Sequence, residues 1–115
     1  MKILFFLTNL CWIAIAQSQP LQEVRTYYDK EETLLQATYH IIGNDSSQIE
    51  GLYTKYRPNG THQLKGYFKE GKRHGLFTTY HPNGKISSTL PYKLGLRHGK
   101  AEAFYSNGML QQHSH

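Results

Sequence analysis

Hydrophobic and polar residues alternate with a period of two in the second half of this chain, which is the pattern of β-strands. The segment "GLYTKY" at residues 51–56 alternates in this way, and "GLFTTY" at 75–80 repeats it. The apolar residues of the stretches that follow also fall on even numbers: Leu64, Phe68, Ile86, Leu90 and Tyr92. The pattern predicts short strands rather than helices over residues 51–110.

Two turn signals separate the predicted strands. In "RPNGT" at 57–61 and "HPNGK" at 81–85, proline pre-sets φ, asparagine tolerates the next position and glycine takes a positive φ. This order predicts a type I turn closed by a glycine bulge. The second signal is Gly-x-Arg-His-Gly, at 71–75 and 95–99. The predicted turn residues are Pro58, Asn59, Gly60, Gly71, His74, Gly75, Pro82, Asn83, Gly84, Gly95, His98, Gly99, Asn107 and Gly108.

The chain repeats itself at a fixed interval. Residues 51–74 align with 75–98 without a gap, and 11 of the 24 positions are identical. A shortened copy starts at Gly99 and has Ser106 where the other copies have proline. Two turns in each copy leave room for one β-hairpin per unit. The predicted organisation is therefore a degenerate hairpin at 17–50, repeats at 51–74 and 75–98, and a partial repeat with a tail at 99–115.

The interval between copies is an even number of positions, which predicts that a position keeps its side of the sheet from one copy to the next. Even-numbered positions would form an apolar face, and odd-numbered positions would form a basic face with aromatic residues. The predicted binding face consists of Tyr53, Lys55, Arg57, Lys65, Tyr67, Lys69, Phe77 and Lys93.

The segment 1–16 has the features of a signal peptide. Lys2 precedes an apolar run that extends from Ile3 to Ala16, and this run is shorter than the roughly 20 residues of a helix that crosses a bilayer. A membrane anchor is the rival interpretation, and the residues before Cys11 disfavour a lipoprotein. Cleavage after Ala16 leaves a chain without cysteine. Its stability would depend on sheet pairing, repeat stacking or self-association.

Charge is unevenly distributed along the predicted mature chain. Residues 17–50 carry two basic and six acidic side chains, a net of 2 − 6 = −4. Residues 51–115 carry ten basic and two acidic side chains, a net of 10 − 2 = +8. The two parts attract each other or simply keep the protein soluble, or the repeats bind an anionic partner.

The residues that could support chemistry are poorly arranged for it. His74 and His98 lie one hairpin apart, which corresponds to roughly 9–10 Å across two strand spacings, too far for one zinc ion. Turn packing is the simpler role for both. Ser87 and Ser88 lack a neighbouring histidine and carboxylate, and the glycines are spaced as turns. The sequence therefore predicts no enzyme, no cofactor and no metal site.

The segment "GLFTTYHPNGKI" at 75–86, followed by "YKLGLRHG" at 92–99, resembles the MORN-repeat variant of bacterial proteins. The resemblance covers residues 51–110 well and 21–50 weakly, and it departs at Thr61 and His62, where lysine and leucine are usual. It implies an elongated, twisted, single-layer antiparallel meander of tandem hairpins. It also implies a binding or assembly module, and some such chains are labelled antitoxin-like. The fold class predicted from the residues and the resemblance together is all-β.

The sequence thus predicts a non-catalytic exported module, periplasmic, attached to the cell envelope or secreted. It would bind a protein or another surface through a sheet face or an open edge. Two alternatives stay open: anionic envelope polymers or phospholipid head groups bound by the basic face, and a toxin neutralised by an antitoxin-like chain. A thin sheet with an uncovered apolar face also predicts curling or homodimerisation. An exported protein rarely meets nucleic acid, so that partner is disfavoured.

Overall fold

A computed structural model describes residues 19–114, and all of its regular elements are β-strands. The predicted signal peptide lies outside these residues. Within them, no helix is long and apolar enough to span a bilayer. The described chain measures 69 × 40 × 16 Å along its principal axes, so it is long and only one layer thick.

The strands form one antiparallel sheet. In chain order they are β1 Leu21–Tyr27, β2 Leu35–Ile42, β3 Asp45–Ile49, β4 Gly51–Tyr56, β5 His62–Lys69, β6 Lys72–Arg73, β7 Gly75–Tyr80, β8 Ile86–Lys93, β9 Leu96–Arg97, β10 Ala101–Phe104 and β11 Leu110–Ser114. Neighbours along the sheet are β1, β2, β4, β5, β7, β8, β10 and β11, while the short strands β3, β6 and β9 pair with the ends of β2, β5 and β8. The elongated single-layer meander predicted from the sequence is confirmed.

Asn-Gly turns connect the strands at one rim of the sheet. At the first turn the Arg57 amide donates to the Thr61 carbonyl at 2.7 Å, and the Gly60 amide donates to the Arg57 carbonyl at 2.8 Å. Gly60 has φ of 90°, which only glycine adopts at low cost. Asn59 Oδ1 accepts the Thr61 amide at 3.1 Å. The turns around Asn83 and Asn107 have the same hydrogen bonds.

Two-residue loops form the opposite rim. Glu70 and Gly71 both have positive φ, 54° and 78°, between the paired residues Lys69 and Lys72. Positive φ at both central positions defines a type I′ turn. Leu94 takes the same conformation one unit later, with φ of 47°. Neither glutamate nor leucine is typical of this position.

Hydrogen bonds between units join the loops at the rim of the Asn-Gly turns to the strand that ends next to them. Three side chains donate to carbonyl groups at the ends of strands: Tyr28 Oη to Tyr56 at 2.6 Å, Arg57 Nη2 to Tyr80 at 2.8 Å, and His81 Nε2 to Phe104 at 2.8 Å. Because a carbonyl oxygen only accepts, His81 carries its proton on Nε2. Arg57, a residue of the predicted binding face, thus also joins two units at the rim of the sheet.

The loops at the other rim are also joined between units. His74 Nδ1 accepts the Leu94 amide at 3.2 Å, and the Arg73 carbonyl accepts the Gly95 amide at 2.7 Å. One unit earlier, Glu50 Oε1 accepts the Glu70 amide at 3.0 Å. His74 thus acts as a hydrogen-bond acceptor between two loops.

The third Asn-Gly turn offers a simple stability test, because Ser106 stands where Pro58 and Pro82 stand in the other two. We expect Ser106→Pro to raise the free energy of unfolding by about 0.5–1 kcal/mol, since proline restricts the unfolded chain and already fits this turn. Urea denaturation followed by circular dichroism measures the change. A loss of stability would show that the third turn differs in backbone from the other two.

The register of the strands corrects the predicted faces. Facing residues of an antiparallel pair lie on the same side of the sheet. Thr54 faces Lys65, and Lys65 faces Thr78, so even positions of β4 and β7 share a side with odd positions of β5. The cause is the extra residue of the β-bulge next to Tyr56 at one rim and the two-residue loop at the other. Each of these reverses the odd and even alternation.

Candidate binding faces

The eight residues of the predicted binding face do not share a face. Those on one side of the sheet are Tyr53, Lys55 and Phe77, and those on the other are Lys65, Tyr67, Lys69 and Lys93. Arg57 lies at the rim, where its guanidinium group is partly buried. We call the first side the aromatic face and the second the exposed face. Binding by these residues stays a prediction for each side separately.

A row of aromatic rings runs across the aromatic face. Neighbouring ring centroids lie 5.3 to 5.6 Å apart in the order Tyr39, Tyr53, Phe68, Phe77 and Tyr92. The first two rings are stacked, whereas Phe77 meets both of its neighbours edge to face. These are the favoured geometries for aromatic pairs. Phe77 is 2% exposed, and the buried apolar residues Ala37, Ile41 and Ala101 lie on the same face.

Arg73 covers part of this row. Its guanidinium carbon lies 5.0 Å from the centroid of Phe77 and 5.3 Å from that of Tyr92. Its Nη1 donates to Tyr92 Oη at 3.2 Å. A cation over a ring face is attracted by the ring electrons, so Arg73 contributes to the packing of a face that has no second layer over it. The sequence signal for this role was the repetition of the residue at Arg97.

Gly66 is the strand position that faces Phe77. A Cβ atom at Gly66 would lie 2.5 Å from Cε2 of the Phe77 ring, which is closer than real Cβ contacts allow. The ring therefore lies directly across the backbone of β5. Gly66 was not among the predicted site residues, although a glycine inside a strand indicates a close approach of another group.

A cavity of about 290 Å³ opens on the aromatic face. Its lining residues are Ile49, Tyr53, Lys55, Leu64, Phe68, Arg73 and Phe77. Burial raises the pKa of the Tyr53 phenol, and Tyr39 raises it further, while Arg73 acts in the opposite direction. The Tyr53 hydroxyl group stays protonated at neutral pH.

An apolar stripe crosses the exposed face, formed by Leu52, Tyr67 and Leu76. Leu52 faces Tyr67 in the register of β4 and β5, and the three side chains are 45%, 55% and 52% exposed. Lys65 and Tyr80 join them around a shallow groove of about 410 Å³. On the aromatic face the side chains pack against one another, whereas this stripe is open to solvent.

Basic side chains surround the stripe without acidic partners from the described chain. Within residues 19–114, the ion pairs join Arg25 to Glu23 at 3.0 Å and Lys100 to Glu102 at 3.6 Å. The acidic segment before residue 51 forms no ion pair with the repeats in this range.

A comparison with protein families agrees with this geometry. The MORN repeat variant model matches residues 49–70, 73–94 and 97–115, which together are more than half of the chain. The chain belongs to the MORN repeat variant family. A search of curated proteins finds no match. MORN repeats are generally binding or scaffold units and are typically non-catalytic.

The MORN units differ from one another at the centre of the aromatic face. Phe77 and Gly66 correspond, one unit on, to Ala101 and Leu90. The large residue is thus on β7 in one pair and on β8 in the next. The register of β8 and β10 continues to place Leu90 opposite Ala101. The two pairs fill similar space in opposite ways.

The groups considered for catalysis serve structural hydrogen bonds. Thr79 Oγ1 bonds to Ser87 Oγ at 2.7 Å and to Ser88 Oγ at 2.5 Å, at the bulge of β8. In the part of the chain that the structure describes, no three His, Cys, Asp or Glu side chains cluster as a metal site would require.

Proposed function

We propose that these MORN units form a non-catalytic docking module for an acidic protein surface, which binds across the exposed face. The observation that carries the proposal is the apolar stripe of Leu52, Tyr67 and Leu76, open to solvent and bordered by lysines without acidic partners in residues 19–114. Rows of side chains at fixed strand spacing suit an extended contact with one partner.

The stripe and the lysines support binding in different ways. Burying the apolar side chains removes their surface from water, and a tyrosine at the centre of a contact is a frequent source of binding energy. The lysines favour acidic partners and increase the association rate, an effect that salt weakens. If both the apolar side chains and the lysines contribute, binding would persist at high salt, but the association rate would be lower.

The place of action belongs to the same proposal. The basic residue and apolar run of residues 1–16 support export, so the partner would be met in the periplasm, at the cell envelope or outside the cell. A toxin neutralised by this chain is a specific form of the same protein-binding role.

Two charged substitutions in the stripe test the proposal. We expect Leu52→Glu with Leu76→Glu to reduce the capture of partners from the envelope fraction of the source cells more than tenfold. The two carboxylates would lie in an apolar contact and face an acidic surface, which costs on the order of 2 kcal/mol of binding free energy. Quantitative mass spectrometry of the bound proteins measures this loss.

The control carries the same two charges elsewhere. Leu21 and Met109 are exposed apolar residues outside the stripe, so Leu21→Glu with Met109→Glu should retain the partners of the natural chain. Circular dichroism checks that both double variants are folded. Equal capture by the stripe variant and the control would rule out docking on this face.

A second candidate follows from the lysines alone. Lys65, Lys69 and Lys93 lie on the exposed face, and anionic polymers or phospholipid head groups would be attracted to them. Sedimentation with vesicles of anionic and of neutral phospholipid distinguishes this role. It requires binding to the anionic vesicles that decreases with salt and that is lost in Lys65→Glu with Lys69→Glu, whereas Leu21→Glu with Met109→Glu, which carries acidic charges outside this face, would still bind.

A further inference from the structure

The cavity on the aromatic face differs from the groove on the exposed face in enclosure and in chemistry. Aromatic rings of Tyr53, Phe68 and Phe77 form its walls, and the aliphatic side chains of Ile49 and Leu64 complete them. Rigid rings in mutual contact hold these walls in place. An apolar pocket with a few convergent polar groups is the usual form of a small-molecule site.

Two cations line this apolar cavity. The described residues 19–114 provide neither Lys55 nor Arg73 with an ion-pair partner. The Arg73 side chain is held in position by its contact with the Phe77 ring and by its hydrogen bond to the Tyr92 hydroxyl group. No carboxylate is among the lining residues. The cavity therefore complements a ligand that is apolar at one end and negatively charged at the other.

The volume limits the size of such a ligand. An apolar cavity of about 150 Å³ is enough to bind benzene, and this cavity has about 290 Å³. One ring with a short acidic substituent fits within this volume. Edge-to-face and stacked contacts with the wall rings favour an aromatic ligand over an aliphatic one.

The next MORN unit shows which residues make this cavity distinct. The positions of Lys55 and Leu64 are taken there by Thr79 and Ser88, which bond to each other. Leu90 takes the position of Gly66. The corresponding place therefore has one arginine, no lysine and a leucine where the first unit leaves space for a ring. Of these two units, the first combines a lysine with a glycine at these positions, as Lys55 and Gly66, whereas the second has Thr79 and Leu90.

We propose that the cavity between Tyr53 and Phe77 binds a small aromatic carboxylate, with the ring among the aromatic walls and the carboxylate at Lys55 and Arg73. This site lies on the opposite side of the sheet from the docking stripe. It adds a ligand-binding function that does not depend on the partner proposed above.

The test uses 3-phenylpropionate as the probe and follows the full chain by NMR. We expect saturable shifts for Tyr53, Leu64 and Phe77, with Leu52 and Leu76 on the exposed face unchanged. The alcohol 3-phenylpropan-1-ol has the same ring without the charge. It should bind about five- to tenfold more weakly, as expected for the loss of one charge-assisted contact in a partly open site.

A matched pair of lysine variants identifies the cation. Lys55→Gln should weaken 3-phenylpropionate about fivefold and leave the alcohol unchanged, so that the preference for the acid is reduced to the part that Arg73 supports. Lys65→Gln removes a lysine of the neighbouring strand β5 that lies on the other side of the sheet. It should change neither the affinity for the acid nor that for the alcohol. Equal binding of acid and alcohol by the natural chain would overturn the proposal. So would shifts confined to the exposed face, or an unchanged preference in Lys55→Gln.

Discussion

Phe77→Ala lowers the free energy of unfolding by about 3–5 kcal/mol, the usual cost of truncating a buried aromatic side chain. Phe77 is the most buried of the large side chains described and contacts Phe68, Tyr92 and Arg73 at once. A one-layer sheet has no second layer that could move in to fill the space. Urea denaturation followed by tyrosine fluorescence and circular dichroism measures the change.

Tyr67 provides the matched control for this variant. It is an aromatic residue on the facing strand, but it is 55% exposed on the other side of the sheet. We expect Tyr67→Ala to cost less than about 1 kcal/mol. Similar losses for the two variants would mean that both faces contribute equally to stability, and the division into a packed face and an open face would be wrong.

Gly66→Leu should cost about 3 kcal/mol alone, because its side chain would take the space of the Phe77 ring. Combining it with Phe77→Ala reproduces the Leu90 and Ala101 pair of the next MORN unit. We expect the double variant to be about 2 kcal/mol more stable than the sum of the two single losses, a coupling typical of residues in contact. A double-mutant cycle of unfolding free energies measures this coupling.

The reverse exchange in the next unit serves as the control. Leu90→Gly with Ala101→Phe should also show favourable coupling, since it copies the arrangement of Gly66 and Phe77. Purely additive losses in both cycles would show that the two positions do not share space. Packing would then not explain why the large and the small residue change places between the two units.

The strand and turn pattern was predictable because local residues determine it. Asn59 and Asn83 each accept an amide two residues ahead, and the glycine that follows takes the positive φ that the bulge requires. These interactions lie within a single turn, so the sequence shows them directly. A meander of hairpins follows when such turns recur at a fixed period.

The assignment of faces was not predictable in the same way. The side on which a residue lies depends on whether the number of residues between facing positions is even or odd. A β-bulge adds one residue to this number and so reverses the side. Glu70 and Leu94 adopt the left-handed conformation without being residue types that indicate it. Leu52 and Leu76, expected on the same side as Leu64 and Phe68, consequently lie on the opposite side.

The cavity could be predicted only in part. Tyr53, Lys55 and Phe77 were among the predicted binding residues, but they were grouped with lysines of the other side. Gly66 and Arg73 were missed because their roles come from contacts between strands rather than from neighbours in sequence. Repeats that depart from their own pattern, as at Gly66 and Leu90, are the signal that could have indicated this place.

Gly66 borders both the groove of the exposed face and, across the backbone, the ring of Phe77. With no side chain at this point, the two surfaces are separated by the thickness of a single peptide chain. The aromatic carboxylate proposed above would leave the Phe77 ring in place and the groove unchanged. A molecule that displaces the ring would instead press on the floor of the groove, and occupation of the groove would resist that displacement. Thermodynamic reciprocity then requires each event to alter the affinity of the other by the same factor.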